Sequence, residues 1–546
     1  MKTLNNIVAS LVFLGAFLQS CNMKQNVDLI GYNGVVYTVD SAFSIAEAFA
    51  VKDGKFAAVG TTADITGKYQ SSQMIDFKGS PVYPGFIDAH CHLLELGQNL
   101  LSADLKGCLS LEEAIGRVKA FRAAHPDLKM ISGAGWDQNL WKNKSLPDNV
   151  LLSDAFKDIP VCLTRIDGHA VLANEAAIRF LGLRVQDESL DSTECIVRAG
   201  RFTGIFMENM AVRFKTEFSP VVADNLESSL LEAQQECFRY GLTSVCDAEE
   251  EYATLQALLN LSKKDSLRLK VDAWPLPTPE NFEKVDRPFV FKNIKVDTYK
   301  LYRDGALGSR GSLLKQDYSD MPGRKGLEFY PLDTFRRYCR WCYDHGFRVA
   351  THCIGDEANA SALDVYAELL KGKNDLGWRI EHAQIVADED IDKFRRYSVI
   401  PSVQPTHCTS DMFWAKDRLG SRLRTGYRYK ELLDELGWLP SGTDFPIESV
   451  NPVYTFFAAV FRKNLDFLPE DGFQMENALS RTEALRSMTI WAAKSTKEDS
   501  SKGSIEAGKA ADFVTTDTDL MTVSEKQVPG TRVTGTWING ISVYGL

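Results

Sequence analysis

The sequence is short of several things, and each shortage removes a class of function. Beyond the first residues no apolar run is long enough to span a bilayer, so membrane-spanning helices are not expected in the body of the chain. Positive charge is in deficit. Lys and Arg number 62 against 73 Asp and Glu, for a formal net charge of -11. Such a chain has little to offer a phosphate backbone, which argues against nucleic acid as a partner. The 11 cysteines are scattered without regular spacing and suggest neither a zinc ribbon nor a redox motif. In a chain of this size most are expected to be buried free thiols. No internal repeat or low-complexity segment stands out. Histidine is scarce, with only 8 residues, so any clustering of them carries weight.

What remains is an ordinary globular composition, 44% hydrophobic and 25% charged. At 546 residues the chain exceeds what one core supports, and two or more structural units are expected. The first residues stand apart. Lys2 gives a basic start, and Ile7 to Leu18 is an apolar run too short to span. Leu18-Gln19-Ser20-Cys21 then resembles the lipobox of bacterial lipoproteins, in which the cysteine is lipidated and becomes the mature N-terminus. Residues 1–20 are therefore read as a signal peptide and Cys21 as a lipid anchor. The expectation is an exported protein tethered to a bacterial membrane, on the periplasmic side or the cell surface. An ordinary secretory leader that happens to hold a cysteine is the alternative.

Residues 21–80 read as short strands, including Val27 to Ile30, Gly34 to Val39 and Ala46 to Val51, separated by turns such as Lys52-Asp53-Gly54-Lys55. Residues 501–546 look alike, and Asn539-Gly540 between two β-runs marks a hairpin. Neither end holds enough strands for its own core, so the two are expected to join in one composite β-sandwich. Between them, over residues 81–500, short apolar strands alternate with longer amphipathic stretches. The candidate strands are Val82 to Ala89, Leu242 to Cys246, Arg268 to Trp274, Val296 to Tyr302, Phe347 to Thr351, Trp378 to Glu381, Val399 to Val403 and Leu439 to Ser441. They are as many as a (β/α)8 TIM barrel needs, which sets the fold class as α/β. The gap after the first is too long for one crossover helix, so residues 101–228 are read as an insertion near the active-site mouth.

The first candidate strand ends in Asp88-Ala89-His90-Cys91-His92. Alternate residues of a strand share a face, so His90 and His92 can reach one metal while Cys91 points away. An HxH pair alone is a weak signal. The ends of other candidate strands strengthen it: Lys300 on the fourth, His352 after the fifth, His382 after the sixth and Asp444 after the eighth. Strand C-termini of such a fold converge on one face, where catalysis occurs. Imidazole and carboxylate ligands suit zinc and similar divalent ions.

The HxH, Lys, His, His, Asp order resembles the amidohydrolase superfamily. Within it, PGFIDAHCH, KLYRDGALGSR, HCIGDEAN, RIEHAQ and SGTDFPIESVNP are similar to amidohydrolase family 3, the YtcJ-like metal-dependent hydrolases, from about residue 27 to the end. The resemblance implies one or two divalent ions, zinc first among them. His90 and His92 would hold the first, and His352 and His382 the second. It also implies that Lys300, which as an ammonium cannot bind a metal, is carboxylated to a bridging carbamate; otherwise it pairs with an acid. Asp444 would be a metal ligand and the general acid/base in hydrolysis of an amide-type, non-peptide C–N bond of a small molecule.

Trp136, His169, Glu208 and Arg303 are candidate substrate contacts, and His407 is on the right face to be another. His125 and His345 read as structural or solvated. The same site could serve a deaminase or an esterase. A catalytically silent binding or regulatory protein on this scaffold is the other alternative, though every expected ligand is present. Substrate identity and any homo-oligomeric state stay open.

Overall fold

The computed structural model describes residues 24–166, 168, 170–187, 190, 194–218, 226–371 and 373–545. The leader segment 1–20, Cys21 and His169 lie outside the described residues.

The two chain ends share one six-stranded sheet. Its order is Ile541–Tyr544, Val533–Ile538, Phe513–Thr516, Pro81–Pro84, Val35–Tyr37 and Ile45–Ala46. A four-stranded sheet of N-terminal residues, Lys55–Gly60, Ala48–Lys52, Leu29–Tyr32 and Met74–Asp76, packs against it. One apolar cluster joins the two, with Leu29, Phe49 and Phe56 meeting Val82, Phe513 and Trp537. Phe513 stacks on Trp537 at 4.5 Å between ring centroids and meets Phe49 edge-on at 4.9 Å.

The stretch expected to be one strand, Val82 to Ala89, is two. Pro81–Pro84 pairs with Phe513–Thr516, whereas Phe86–Cys91 pairs with Leu242–Glu250. The break falls at Gly85, where an added Cβ would lie 2.2 Å from Thr243 Oγ1. Only a residue without a side chain lets the backbone pass that close as it changes sheets.

From Phe86–Cys91 parallel pairing proceeds to Leu242–Glu250, Lys270–Pro275 and Ile294–Val296. After Asp297, Thr298–Tyr302 pairs in parallel with Arg348–Cys353, which pairs with Arg379–His382 and then Ile400–Ser402. The expected strand Val296 to Tyr302 is thus interrupted at Asp297, whose carboxylate takes Arg348 at 2.6 Å and Lys295 at 3.0 Å. Val403 pairs in parallel with Ser441, and the Ala89 N–H donates to the Ser441 carbonyl. The Ser441 segment therefore touches both the last and the first strand of this series.

Helices such as Tyr252–Lys263, Leu332–Asp344, Asp356–Leu370 and Ile391–Tyr397 connect the strands. Leu332–Asp344 buries Phe335, Cys339 and Cys342, spaced as one helical face. Against the expectation of cysteines without regular spacing, Cys339 and Cys342 form a Cys-x-x-Cys pair. Both sit in the main core, where burial pushes each thiol above its usual value. That disfavours the thiolate which metal ligation or redox exchange requires. All ten cysteines among the described residues are buried.

Between Phe86–Cys91 and Leu242–Glu250 the chain builds a separate six-stranded sheet. It runs Ser102–Asp104, Ile131–Trp136, Val161–Arg165, Ala170–Ala173, Arg201–Met207 and Cys195–Arg198. One apolar cluster includes Leu105, Trp136 and Leu163, and another Cys162, Phe206 and Phe214. The neighbours Cys162 and Leu163 supply opposite faces, as strand alternation requires.

Candidate metal centre

Side chains on the common inner face of the parallel strands form layers. Where the strands begin, the Arg348 guanidinium pairs with Asp272 at 2.8 Å. One layer up, Arg379 lies over the Trp274 ring at 4.8 Å. At the C-terminal ends the inner positions are His90, His92, Lys300 and His352, each two residues beyond another inner position or at the strand's end.

His90 is fully buried and held on both sides. Its Nδ1 lies 2.6 Å from Glu381 Oε2, and its Nε2 lies 3.1 Å from Lys300 Nζ and 3.4 Å from Asp444 Oδ1. His92 Nε2 is 3.1 Å from the same Asp444 oxygen. The other carboxylate oxygen, Oδ2, is 3.3 Å from His407 Nε2. His382 stacks on His407 at 5.6 Å and meets His352 edge-on at 4.5 Å. Three of the expected ligands, His90, His92 and His382, thus surround the carboxylate of a fourth, Asp444, with Lys300 and His352 beside them.

Strand alternation alone would turn His382 away, since its neighbour Glu381 is an inner residue. His382 instead adopts φ +72 and Asp444 φ +61, left-handed conformations that bring both side chains to the centre. Such backbone costs about 1–3 kcal/mol per residue and persists where the surroundings over-determine it. For Asp444 those surroundings are visible. Buried Asp88 accepts from the Thr443 N–H at 3.0 Å, the Thr443 hydroxyl at 2.7 Å and the His90 N–H at 3.1 Å. The Asp444 N–H donates to the His90 carbonyl. Gly442 packs so closely here that a Cβ would lie 2.4 Å from His90 N.

The donor set fits a divalent cation. Ligand atoms of His90, His92 and Asp444 all lie within 4.8 Å of one another, and so do those of His382, His407 and Asp444. Burial, reinforced by Lys300, lowers His90 to about 4 and His352 to about 3, and burial with His352 nearby takes His382 well below its usual value. Neutral imidazole is the form that ligates. His352 Nε2 and His382 Nδ1 are buried with no hydrogen-bond partner among the described residues. Asp444 stays ionised despite its burial, held well below the carboxylate range by His407 and His92. His407 is raised to about 9, the carboxylate of Asp444 overcoming its burial. The Lys300 ammonium is lowered by burial, against the pull of Glu249, Glu381 and Asp444.

The second histidine group differs from the expected one. His407 joins His382 on the carboxylate, while His352 stands behind them with its Nε2 3.7 Å from Asp304. His407 was legible only as a residue on the right face, because it follows a strand without belonging to it. The supports of His90 were not foreseen at all. Glu381 is held by Arg379, with Nε 2.5 Å from Oε1, and Arg379 also donates to Ala89 O at 2.8 Å. Burial opposes ionisation of Glu381, but Arg379 and His90 bring it down to about 2. The sequence signal was an Arg and a Glu at alternate positions of an otherwise apolar strand.

Three of the expected substrate contacts, Trp136, Arg303 and Glu208, lie among the described residues. Trp136 is buried in the core of the inserted sheet and donates through Nε1 to Leu163 O at 2.7 Å. The Arg303 guanidinium is buried against Phe335 and donates to Tyr330 O at 2.8 Å and Glu328 at 3.0 Å, so it fastens the loop that follows its strand. Glu208 opens the helix Glu208–Glu217 and is exposed. His125 and His345 pack on Phe121 and Trp341.

Parallel β/α units with a histidine and carboxylate cluster at the strand ends define an α/β protein with a candidate metal centre. Residues 73–544 match the amidohydrolase family, and the chain belongs to that family. It is similar to the putative amidohydrolase YtcJ of Bacillus subtilis, 28% identical over 94% of this chain and 99% of that one. It is also similar to the N-substituted formamide deformylase of Arthrobacter pascens, 23% identical over 96% of this chain and 99% of that one. Among solved structures it superposes on an uncharacterized metal-dependent hydrolase from Pyrococcus horikoshii with a TM-score of 0.73, 29% identity, and coverage of 91% and 99%.

Proposed function

We propose that the chain is a metal-dependent hydrolase that cleaves a non-peptide, amide-type C–N bond of a small molecule, on eight β/α units closed into a barrel by the Ser441 segment. The observation that carries this reading is the Asp444 carboxylate, which turns one oxygen to His90 and His92 and the other to His407. His90 and His92 with Asp444 would hold one divalent ion, and His382 and His407 with Asp444 a second, His407 giving up its proton to solvent as the ion binds, zinc being the ion best suited to these donors. A metal held here supplies Lewis acidity toward a carbonyl oxygen and lowers the pKa of water toward 7.

The chain's own groups do the rest. Glu381 fixes the tautomer of His90 by accepting from Nδ1, leaving Nε2 free to ligate. Asp444 is ionised and so able to take a proton from the attacking water and hand it to the departing nitrogen. Lys300, buried with its ammonium disfavoured, is a candidate for carboxylation: its neutral amine would add to CO2 and release one proton, giving a carbamate anion beside His90. Support for the C–N bond comes from the formamide deformylase relative. Export and tethering through Cys21 are part of the same proposal, resting on the leader sequence.

The test is a hydrolysis screen over secondary amides, esters and amines with and without chelator, for the wild type and Asp444→Asn. The expected result is amide turnover that chelator abolishes and added zinc restores, with the variant slower by roughly 10²–10⁴-fold. Chelator-resistant turnover, or full activity in the variant, overturns the mechanism.

A further inference from the structure

We propose that Gln404 is the residue that selects the substrate, by reading the N–H and C=O of a neutral scissile amide. This deepens the hydrolase reading above and rests on it.

Gln404 follows the strand Ile400–Ser402 and precedes the helix Pro405–Asp411. Ser402 is an inner residue, since its hydroxyl accepts from Arg379 Nη2 at 2.5 Å. Val403 points outward into the main apolar core and pairs with Ser441. Gln404 keeps an extended backbone, φ -121 and ψ 93, so alternation returns its side chain to the inner face, one step beyond Ser402 toward the strand ends. That is the level of the histidine cluster, and His407 follows in the next turn.

The side chain is 1% exposed, yet neither Oε1 nor Nε2 has a hydrogen-bond partner. Buried polar atoms are almost always paired, and leaving both ends of an amide unpaired is costly. An orphan donor and an orphan acceptor on one planar group match a ligand that presents the complementary pair side by side. A lactam or a ureide does so through its C=O and N–H, and a secondary amide does so when bound in its cis form. A carboxylate does not, because it has no donor for Oε1 and would be repelled by it. The geometry thus favours neutral amides carrying an N–H over N-acyl amino acids that place their free carboxylate at this point.

The probes are N-benzylformamide and N-benzyl-N-methylformamide, which differ by the single N–H. Hydrolysis and ligand-induced shifts in Tm are measured on the zinc-loaded full chain for the wild type, Gln404→Met and Gln404→Glu. The wild type is expected to prefer the secondary amide in both kcat/KM and Tm shift, the kcat/KM preference being on the order of tenfold or more. Gln404→Met is expected to erase that preference while leaving the Tm without ligand unchanged or higher, because it removes an unpaired amide. Equal handling of the two probes by the wild type overturns the inference even if both are hydrolysed. A lower unliganded Tm in Gln404→Met with the preference intact also overturns it, since Gln404 would then serve the fold. Hydrolysis of neither probe, with the difference in Tm shift retained and lost in Gln404→Met, contradicts the hydrolase reading and leaves the role of Gln404 standing.

Discussion

Glu381 Oε2 lies 2.6 Å from His90 Nδ1, with both side chains fully buried. A carboxylate behind a ligating imidazole sets which nitrogen carries the proton and raises the basicity of the other. The variant Glu381→Gln keeps the shape but weakens that hold. Its affinity for zinc, measured by competition with a chromophoric chelator, is expected to fall about 10–100-fold. An unchanged affinity would show that Nε2 of His90 is not a ligand.

Gly442 sets the path of the chain into Asp444. A methyl group there would lie 2.4 Å from His90 N and 2.6 Å from Asp88 Oδ1. Gly442→Ala is expected to cost about 1–3 kcal/mol of stability by overpacking and to lower turnover further, because the backbone that aims Asp444 must shift. Thermal denaturation and steady-state kinetics check the two parts separately.

Arg348 offers a control at the opposite end of the strands. It joins Asp272 at 2.8 Å and Asp297 at 2.6 Å, and it donates to Ser495 O at 2.6 Å. Replacing one partner of a buried ionic cluster strands the others, so Arg348→Met is expected to destabilise by about 3–5 kcal/mol. Denaturant unfolding measures this. Metal stoichiometry of the folded fraction is expected to stay that of the wild type.

The reach of the sequence follows from which constraints are local. The His-x-His spacing at residues 90 and 92 is readable from strand periodicity, and the strand-end positions of Lys300, His382 and Asp444 from chain order, but the left-handed backbone that aims His382 and Asp444 is not. Gly85 was not read as a boundary, since the stretches on either side of it are both apolar strands and only Thr243, remote in sequence, forces the crossing. The pairing of Glu381 with His90 spans 291 residues, and no spacing rule connects them. His407 joins His382 at Asp444 because the turn after its strand, not strand order, sets where its imidazole points. Trp136 was read as a substrate contact from the likeness of Trp136-Asp137 to a family motif, and its ring is buried in the inserted sheet's own core.

The most direct test of the account is zinc titration of the purified, metal-stripped chain by calorimetry, alongside the variants His92→Ala and His382→Ala. One or two equivalents are expected to bind the wild type, with the two variants each weakened, and saturating zinc is expected to stabilise the fold by about 2.7 kcal/mol at a hundredfold excess over Kd. A wild-type chain that binds no divalent ion, or variants that bind as it does, would contradict the claim that these histidines and Asp444 form a metal centre.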